Sequence, residues 1–498
     1  MTALPPVYST AAIREVEAIA LRNGLPLMAR AGLAAATLAR QLLGDGARQR
    51  VLVIAGPGNN GGDAFETAAH LKQAAIAVSV VFTGDVSKLP ADAARALAKW
   101  RAAGGELAAD IAPGPWNLVI DGLFGIGLAR ALEGRHAALV NTINVLAESG
   151  IPVLALDVPS GIHSDTGAIM GVAVRATHTL TFIAHKPGLL TLDGPDHCGI
   201  LECDALGVDA AALSTPDGAL VTDAILAEAP RRPRNFHKGM AGEVGVIGGT
   251  DGMVGAVLLS ARAALHSGAG KVFVGFVAAD PPGVDPQQPE LMMRTPQQSL
   301  AESAVLLAGP GMGTGTRAAG VLREVLSVQK PLVLDADALN LIAADGSLAA
   351  LTAQRTASTL MTPHPAEAAR LLATGTADVQ RDRIAAATAL AKHYRCIVVL
   401  KGNGSVLAAP DGAWWINASG NPGMASAGMG DVLGGLLASL IAQQLEPLAA
   451  TQLAVWLHGA AADELAAAGH GPIGITASDV ITQIRVMLNR PLKQPVGD

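Results

Sequence analysis

Residues 51–63 read Val51-Leu-Val-Ile-Ala-Gly-Pro-Gly-Asn-Asn-Gly-Gly-Asp63, an aliphatic run that stops at a glycine-rich loop. A short apolar run bounded by glycines predicts a strand buried on both faces. The pattern recurs at Ile76 to Phe82, Leu118 to Asp121, Pro152 to Asp157 and Thr179 to Ile183, with helical stretches between. Ahead of it lie two helical patterns, Ile13/Val16/Ala20 and Leu33/Leu38/Leu42, each stopped near a glycine, Gly24 or Gly44. Strand–helix alternation of this kind predicts an α/β fold, a Rossmann-like three-layer sandwich with a largely parallel sheet. Ligands on such sheets collect at the carboxyl ends of the strands. Here those ends are polar: Gly56 to Asp63, then Asp121, then Asp157-Val-Pro-Ser160-Gly161.

Residues 214–236 have the composition of a linker, with Pro216, Asp217 and Gly218, then Pro230 and Pro233 among arginines. A second α/β series follows. Its strands are expected at Val244 to Gly248, Lys271 to Phe276, Ala304 to Ala308, Pro331 to Asp335, Thr359 to Met361 and Cys396 to Leu400. Val406 to Ala409 and Trp414 to Asn417, joined through Asp411-Gly412, predict a hairpin. Helices over 431–444, 449–467 and 477–489 should cover one face of this second sheet.

A chain of 498 residues is long enough for two or three domains. Half of it is apolar, 15% charged and 3% aromatic, with 57 glycines, which describes an α/β enzyme and not a disordered or fibrous chain. A net charge of -7 argues against nucleic acid as the main partner. The local exception, Arg231-Arg232-Pro233-Arg234 with His237-Lys238, either meets ligand phosphates or solvates a linker. Cys198, Cys203 and Cys396 show no metal spacing and cannot all pair, so buried free thiols in a reducing compartment are expected. The start, Met1-Thr-Ala-Leu-Pro-Pro, lacks the features of a signal peptide, and the apolar run from Val432 to Ala442 is too short to span a bilayer. These readings lead to an expectation of a soluble cytoplasmic protein with no membrane partner. So apolar a chain is also expected to form a homo-oligomer.

In the first half, Gly56-x-Gly58-x-x-Gly61 formally matches a dinucleotide-binding turn, but Asn59, Asn60 and Asp63 crowd it with polar groups. Glycine amides can meet phosphate there while those side chains order a polar group or a cation. Asn60, Asp121 and Ser160, from three neighbouring strand ends, offer oxygens for a hard cation, either a large monovalent ion or magnesium; Asx-turns and helix caps are the competing explanation. Asp157 ends an apolar strand just before Pro159 and Gly161, which marks it as the acid–base candidate of this half. Lys186 follows another strand end and either reaches the same crevice or is solvated.

In the second half, Asn421-Pro-Gly-Met-Ala-Ser-Ala-Gly-Met-Gly-Asp431 delivers one carboxylate to the start of an apolar helix. Gly428 and Gly430 let the backbone approach an anion, and the first helical N–H groups point at it. Asp431 can then take a proton from an attacking hydroxyl, although capping alone would also place an Asp there. Further phosphate-friendly loops stand at Gly248 to Gly252 and Gly309 to Gly315. Thr362-Pro-His364-Pro-Ala-Glu367 starts a helix after a strand, so His364 is either a ligand contact or a cap. Lys401 ends a strand and leads into Gly402-Asn403-Gly404-Ser405, where its ammonium and the following amides can meet a phosphate. No P-loop signature is present.

These residues resemble a known pair of domains. The loop 58–63, Asp121 with Gly125 to Ala131, and Asp157 to Gly161 look like the YjeF amino-terminal domain, an NAD(P)HX epimerase. His237 to Gly239, Gly248-Gly249, Gly309 to Gly313, Thr362 to His364, Lys401 to Ser405 and Asn421 to Asp431 look like the ADP-dependent NAD(P)HX dehydratase, which has the ribokinase-like α/β fold. Together they resemble the bifunctional NAD(P)H-hydrate repair enzyme family over nearly the whole chain, with domains expected over 1–217 and 223–498.

The resemblance implies that the substrates are NADHX and NADPHX, reduced nicotinamide dinucleotides hydrated at the 5,6 double bond. It implies that the first domain interconverts the R and S forms at C6 and that the second dehydrates the S form with ADP, releasing AMP and phosphate. Asp157 and Asp431 would be the catalytic groups. Asn59, Asn60, Gly61, Gly62, Asp63, Gly125, Ile126, Gly127, Leu128, Ala129, Arg130 and Ala131 would hold the hydrate for epimerisation, with a potassium ion on Asn60, Asp121 and Ser160. Ala256, Gly313, His364 and Asp431 would contact it for dehydration. Lys401, Gly402, Asn403, Gly404, Ser405 and Gly430 would bind the nucleotide, with magnesium screening its phosphates.

Ala64, Ile126, Ala366 and Ala29 depart from the family pattern without removing a proposed ligand. Met429, where a small residue is usual, bears most on the nucleotide pocket. The rival reading is a ribokinase-like small-molecule kinase with an attached nucleotide-binding module.

Overall fold

The computed structural model describes residues 4–44, 46 and 49–490. Met1, Thr2 and Ala3 of the amino-terminal stretch, and the last eight positions of the expected second domain, lie outside the described residues. The chain divides into two compact units, one running from Pro6 to Gly218 and the other beginning its main run at Ala219.

In the first unit the seven strands of the main sheet are all parallel. Their order across the sheet is Leu107–Ala108, Ala77–Phe82, Arg50–Ala55, Leu118–Gly122, Val153–Leu156, His178–Phe182 and Ile200–Asp204. Side chains alternate between the faces with period two. Val51, Val53 and Ala55 enter one core with the helices Thr10–Arg22, Leu27–Leu43, Asn59–Gln73 and Ala91–Ala102. Leu52 and Ile54 enter the opposite core with Trp116, Leu139, Val140 and Ile143. Chain order reverses between Arg50–Ala55 and Leu118–Gly122, so the crevice of the sheet opens beside the loops after those two strands.

In the second unit the sheet runs Gly218–Val221, Trp414–Asn417, Ser405–Ala408, Ile397–Leu400, Thr359–Met361, Leu332–Leu334, Val305–Ala308, Glu243–Gly248, Lys271–Phe276 and Met292–Arg294. Among these strands Ser405–Ala408 is antiparallel to both of its neighbours, and the other pairs are parallel. Its hairpin closes through Asp411 and Gly412, with the Gly412 φ at 96° and the Ala413 N–H on the Asp411 carboxylate at 3.0 Å. Helices Met429–Ala442, Pro447–Leu465 and Ala477–Leu488 pack into the core of this unit. The first of these lies tight against the helix Val254–His266: a β-carbon on Gly435 would come within 2.1 Å of the Ser260 carbonyl oxygen.

Several expectations need correction. Residues 214–236 are not a plain linker: Gly218–Val221 is a strand parallel to Trp414–Asn417, and Asp223–Glu228 is a 3-10 turn. Prolines and arginines mask so short a strand, whose partner stands almost two hundred positions later. Leu33 is 54% exposed, and the buried stripe of its helix is instead Leu27, Ala31, Ala35 and Leu38 with Ala39. The strands Leu107–Ala108, Ile200–Asp204 and Met292–Arg294 lack a continuous apolar run and escape periodicity. The cysteines are free, but Cys203 is exposed on the edge strand, unlike Cys198 and Cys396. Among the described residues no helix is long and apolar enough to cross a membrane.

Candidate functional site

The first unit brings Asn59, Asn60, Asp63 and Asp157 to one cavity of ≈ 340 Å³, whereas Asp121 and Ser160 are fully buried and do not line it. Asp157 follows the strand Val153–Leu156 with φ at 64°, a left-handed conformation that Asp tolerates better than most residues. The turn is fixed by the Asp157 N–H on the Leu180 carbonyl and the Val158 N–H on the Leu156 carbonyl, each at 2.8 Å. It aims the carboxylate at Lys186, whose ammonium donates to Asp157 Oδ1 at 2.6 Å, to Thr181 Oγ1 at 2.9 Å and to the Phe182 carbonyl at 2.7 Å. Lys186 is therefore not solvated: only 1% of it is exposed, and these bonds use its proton set. The other carboxylate oxygen, Oδ2, faces Gly125, where a β-carbon would sit 3.0 Å from it and 3.4 Å from Asn60 Oδ1. Gly125 thus keeps open the space that Asp157 and Asn60 share.

Asp121 is fully buried and tied to Ser160, accepting from its N–H at 2.8 Å and its hydroxyl at 2.7 Å, with the Leu123 N–H at 3.2 Å. Burial outweighs these bonds and pushes its carboxyl up to about 6. Asn60 is buried with neither its side-chain oxygen nor its nitrogen partnered. A buried amide in that state is costly unless something meets it.

Of the first proposed binding loop, Asn59, Asn60 and Asp63 line the cavity. Gly61 and Gly62 are buried for packing, since a β-carbon on Gly61 would lie 1.9 Å from the Gly56 carbonyl oxygen. Of the second, Gly125, Ile126 and Gly127 line the cavity, whereas Leu128 is in the core and Ala129, Arg130 and Ala131 are exposed beyond the lining.

Two further residues, Arg14 and Glu17, line the cavity from the helix Thr10–Arg22. Glu17 follows Ile13 by four positions and precedes Ala20 by three, so it sits on the buried side of its helix. A carboxylate on an apolar stripe was the available signal. Glu17 is raised above an ordinary glutamate by burial and by Asp157, against Lys186 and Arg14. Asp63 is raised further by burial, Asp157, Glu17 and Glu66, with Lys186 opposing.

In the second unit the helix Met429–Ala442 begins after Gly428, which has φ at 88° and provides no side-chain cap. Asp431 stands in the first turn and not at the cap, so capping does not account for it. The first N–H groups of the helix are left facing outward at its positive end. Beneath them lies an ion pair, Lys401 Nζ to Asp335 Oδ1 at 2.7 Å, with Asp335 2% exposed. A β-carbon on Gly430 would be 3.2 Å from the Lys401 ammonium and 3.4 Å from the other Asp335 oxygen. Burial, then Asp335 and Asp337, push the Asp431 carboxyl up to about 7, against the pull of Lys401. Burial works against the Lys401 charge, but Asp335, Glu367 and Asp431 outweigh it and raise its proton affinity. Met429 is 5% exposed and belongs to the apolar core, where its bulk is absorbed.

The loop from Lys401 is braced from below by the buried Arg383, which donates to the carbonyls of Leu400, Lys401 and Gly404 at 3.2, 3.3 and 3.4 Å. Gly402 and Gly404 have φ of 148° and 63°, while Ser405 Oγ receives the Gly402 N–H at 3.3 Å. Asn403 is exposed. His364 caps its helix, its Nδ1 accepting from the N–H groups of Ala366 at 3.1 Å and Glu367 at 3.3 Å. Capping leaves almost half of that side chain exposed, so it is compatible with a ligand contact. Gly313 donates to Asp337 Oδ2 at 2.8 Å, and Gly311 lies against Ala256, which brings these loops together.

Asp335, Asp337 and Arg383 were not anticipated. An Asp-x-Asp after a strand was the signal for the first two; nothing local distinguishes Arg383 from a surface arginine.

A Gly430→Ala substitution is expected to weaken binding of a phosphate-bearing ligand at this helix end by about tenfold, roughly 1.4 kcal/mol. The added carbon crowds the ion pair and the helix amides together. Calorimetric titration of the parent and the variant with ADP checks this.

The family model described as NAD(P)H-hydrate dehydratase matches residues 244–485, and that of the YjeF-related protein N-terminus matches residues 24–188. The chain is 38% identical over 503 residues to the bifunctional NAD(P)H-hydrate repair enzyme Nnr of Coxiella burnetii, covering 97% of this chain and 99% of that one. It is 38% identical to the Escherichia coli protein of the same name, over 93% of this chain and 89% of that one. Among solved structures it is similar to the ADP/ATP-dependent NAD(P)H-hydrate dehydratase from Bacillus subtilis co-crystallised with ATP and Mg2+. That match has 28% identity and a TM-score of 0.47, covering 54% of this chain and 98% of that one.

Proposed function

The chain belongs to the bifunctional NAD(P)H-hydrate repair enzyme family, and on that premise we propose that its two units perform successive steps on one damaged cofactor. The unit Pro6–Gly218 epimerises hydrated NADH and NADPH at C6. The unit that follows dehydrates the S form with a nucleotide co-substrate, ADP. This assigns epimerisation to the expected domain 1–217 and dehydration to 223–498.

The observation that carries the dehydratase reading is Asp431 in the first turn of an uncapped helix, above the Lys401–Asp335 ion pair. Hydroxide is a poor leaving group and phosphate a good one, so the hydroxyl is converted before it leaves. Asp431 takes the proton of the C6 hydroxyl as its oxygen attacks the terminal phosphorus of ADP, and the bond from that phosphorus to AMP breaks. The amides of Met429 and Gly430, with the loop Lys401 to Ser405, hold the charge that develops on the phosphoryl oxygens. The ring nitrogen then expels phosphate, and loss of the C5 proton restores the double bond. Ala256, Gly313 and His364 border the hydrate side of this site. No group of three or more His, Cys, Asp or Glu able to hold a metal occurs among the described residues. Magnesium is accordingly assigned to the nucleotide phosphates, whose charge it screens.

In the epimerase unit, Asp157 handles the hydroxyl proton while the ring nitrogen's lone pair assists departure of the C6 oxygen. The donor set there fits a large monovalent cation: Asn60 carries an orphaned side-chain oxygen, and Asp121 and Ser160, bonded to each other at neighbouring strand ends, supply carboxylate and hydroxyl oxygens. Potassium held by these residues would supply a fixed positive charge that orders the loops around the hydrate.

Because Asp431 titrates near 7, the single-turnover dehydration rate is expected to rise with pH through about 7 and level off above it, as the carboxylate form accumulates. A rate independent of pH between 6 and 8 would remove Asp431 as the base. The functional assignment is tested by incubating the protein with chemically hydrated NADH, ADP and magnesium, following dihydronicotinamide absorbance alongside AMP and phosphate. Equal yields of the three products are expected. A stable phosphorylated product would instead identify a kinase.

A further inference from the structure

Epimerisation at C6 requires a proton to be handled on both faces of the ring: one face loses an oxygen, the other gains one. A single fixed carboxylate reaches one face. In the first unit the cavity is bordered by carboxylates from different elements, Asp157 from the end of a strand and Glu17 from the helix Thr10–Arg22. They differ in their surroundings. Asp157 is bonded to the buried ammonium of Lys186 at 2.6 Å, whose remaining protons go to Thr181 and Phe182. Lys186 is thereby committed to Asp157.

Resting on the epimerase reading of this cavity, we propose that Glu17 is its second catalytic residue, acting on the opposite face of the hydrated ring from Asp157. In one direction the Glu17 carboxyl gives its proton to the C6 hydroxyl oxygen. The C6–O bond breaks, the ring nitrogen's lone pair forms an N1=C6 iminium, and water departs. Water then adds to C6 from the other face, its proton passes to the Asp157 carboxylate, and the π pair returns to nitrogen. One proton is given and one is taken, and the site is left with Glu17 ionised and Asp157 protonated, which is the state the reverse direction needs.

A carboxyl whose surroundings favour the neutral form, set beside one ion-paired to a buried ammonium, lets a site run acid and base chemistry together. The groups felt at Glu17 are Asp157, which with burial favours the neutral form, and Lys186 and Arg14, which favour the charged form; burial and Asp157 prevail. Asp63, also on the cavity wall, is raised well above an ordinary aspartate by burial, Asp157, Glu17 and Glu66, against Lys186.

The test uses the full-length chain and an unequal mixture of the C6 epimers of hydrated NADH, without ADP, followed by NMR. Glu17→Gln is expected to slow equilibration by about 100-fold or more. ADP-dependent recovery of the S epimer in the same preparation should be unchanged. Glu17→Asp is expected to restore part of the rate with a displaced pH profile, which a packing role would not produce. If Glu17→Gln equilibrates the epimers at the parental rate while Asp157→Asn does not, Glu17 is not catalytic and the epimerase reading stands. If both equilibrate them at the parental rate, that reading itself fails. Should Glu17→Gln misfold, an undisplaced pH profile in Glu17→Asp would overturn the proposal.

Discussion

Replacing Asp431 with asparagine is expected to lower the ADP-dependent dehydration rate by about 1000-fold while leaving C6 epimerisation at the parental rate. Asparagine keeps the size of the side chain but cannot take the hydroxyl proton. The helix amides, Lys401 and the loop to Ser405 remain, so nucleotide affinity should change little and the loss should fall on kcat. The same substitution carries a stability signature of opposite sign. The folded protein holds the Asp431 proton up to about pH 7, whereas an unfolded aspartate releases it near 4. Ionising Asp431 therefore costs the parent stability as pH rises from about 4 to about 7. Asp431→Asn never ionises, so it should be more stable than the parent above pH 7, by roughly 1–3 kcal/mol after allowance for solvent screening. The two proteins should converge near pH 4. Thermal scans at pH 4.5 and 8 check this, and a destabilised variant at pH 8 would show that Asp431 serves the fold and not the reaction.

Asp157→Asn is expected to lose epimerisation by about 1000-fold and to be destabilised as well, because the fully buried Lys186 ammonium then faces a neutral partner. Breaking a buried pair on one side typically costs about 3–5 kcal/mol, and an amide oxygen that still accepts a bond recovers part of it. Removing both charges separates the two effects. In Asp157→Asn/Lys186→Met no unpaired charge remains, so stability should return toward the parental value while epimerisation stays absent. Denaturant unfolding together with the NMR equilibration assay measures both. A double variant that epimerises would show that the Asp157 carboxylate is dispensable.

The parts of this molecule that were legible in the sequence share a local cause. Val51 to Asp63 announces a strand, a turn and a helix because apolar residues, glycines and polar caps act within a few positions of one another. The placement of Asp157 at a strand end and of Asp431 after a glycine turn follows from the same local chemistry. What escaped depends on distant partners. Gly218–Val221 becomes a strand only because Trp414–Asn417 offers it an edge. Lys186 could be read as a solvated lysine until the fold placed it under Asp157. Asp335 acquires meaning from Lys401, sixty-six positions later, and Arg383 from the carbonyls of a loop it supports. Glu17 lay in plain view, flanked by the apolar residues of its own helix, but its cavity is assembled from segments more than a hundred residues apart. Met429 shows the reverse error: family pattern singled it out, and its side chain turns into the core.

On the proposed function two sites in one chain act in sequence, the first making the epimer that the second consumes. The most direct measurement supplies purified R-epimer of hydrated NADH, with ADP and magnesium, to the parent and to Asp157→Asn, and follows the return of dihydronicotinamide absorbance. The parent is expected to recover all of the cofactor, and Asp157→Asn to proceed no faster than spontaneous epimerisation allows, although it still processes the S-epimer at the parental rate. Full recovery of the R-epimer by Asp157→Asn at the parental rate would show that the Asp157 site does not supply the epimer that dehydration consumes.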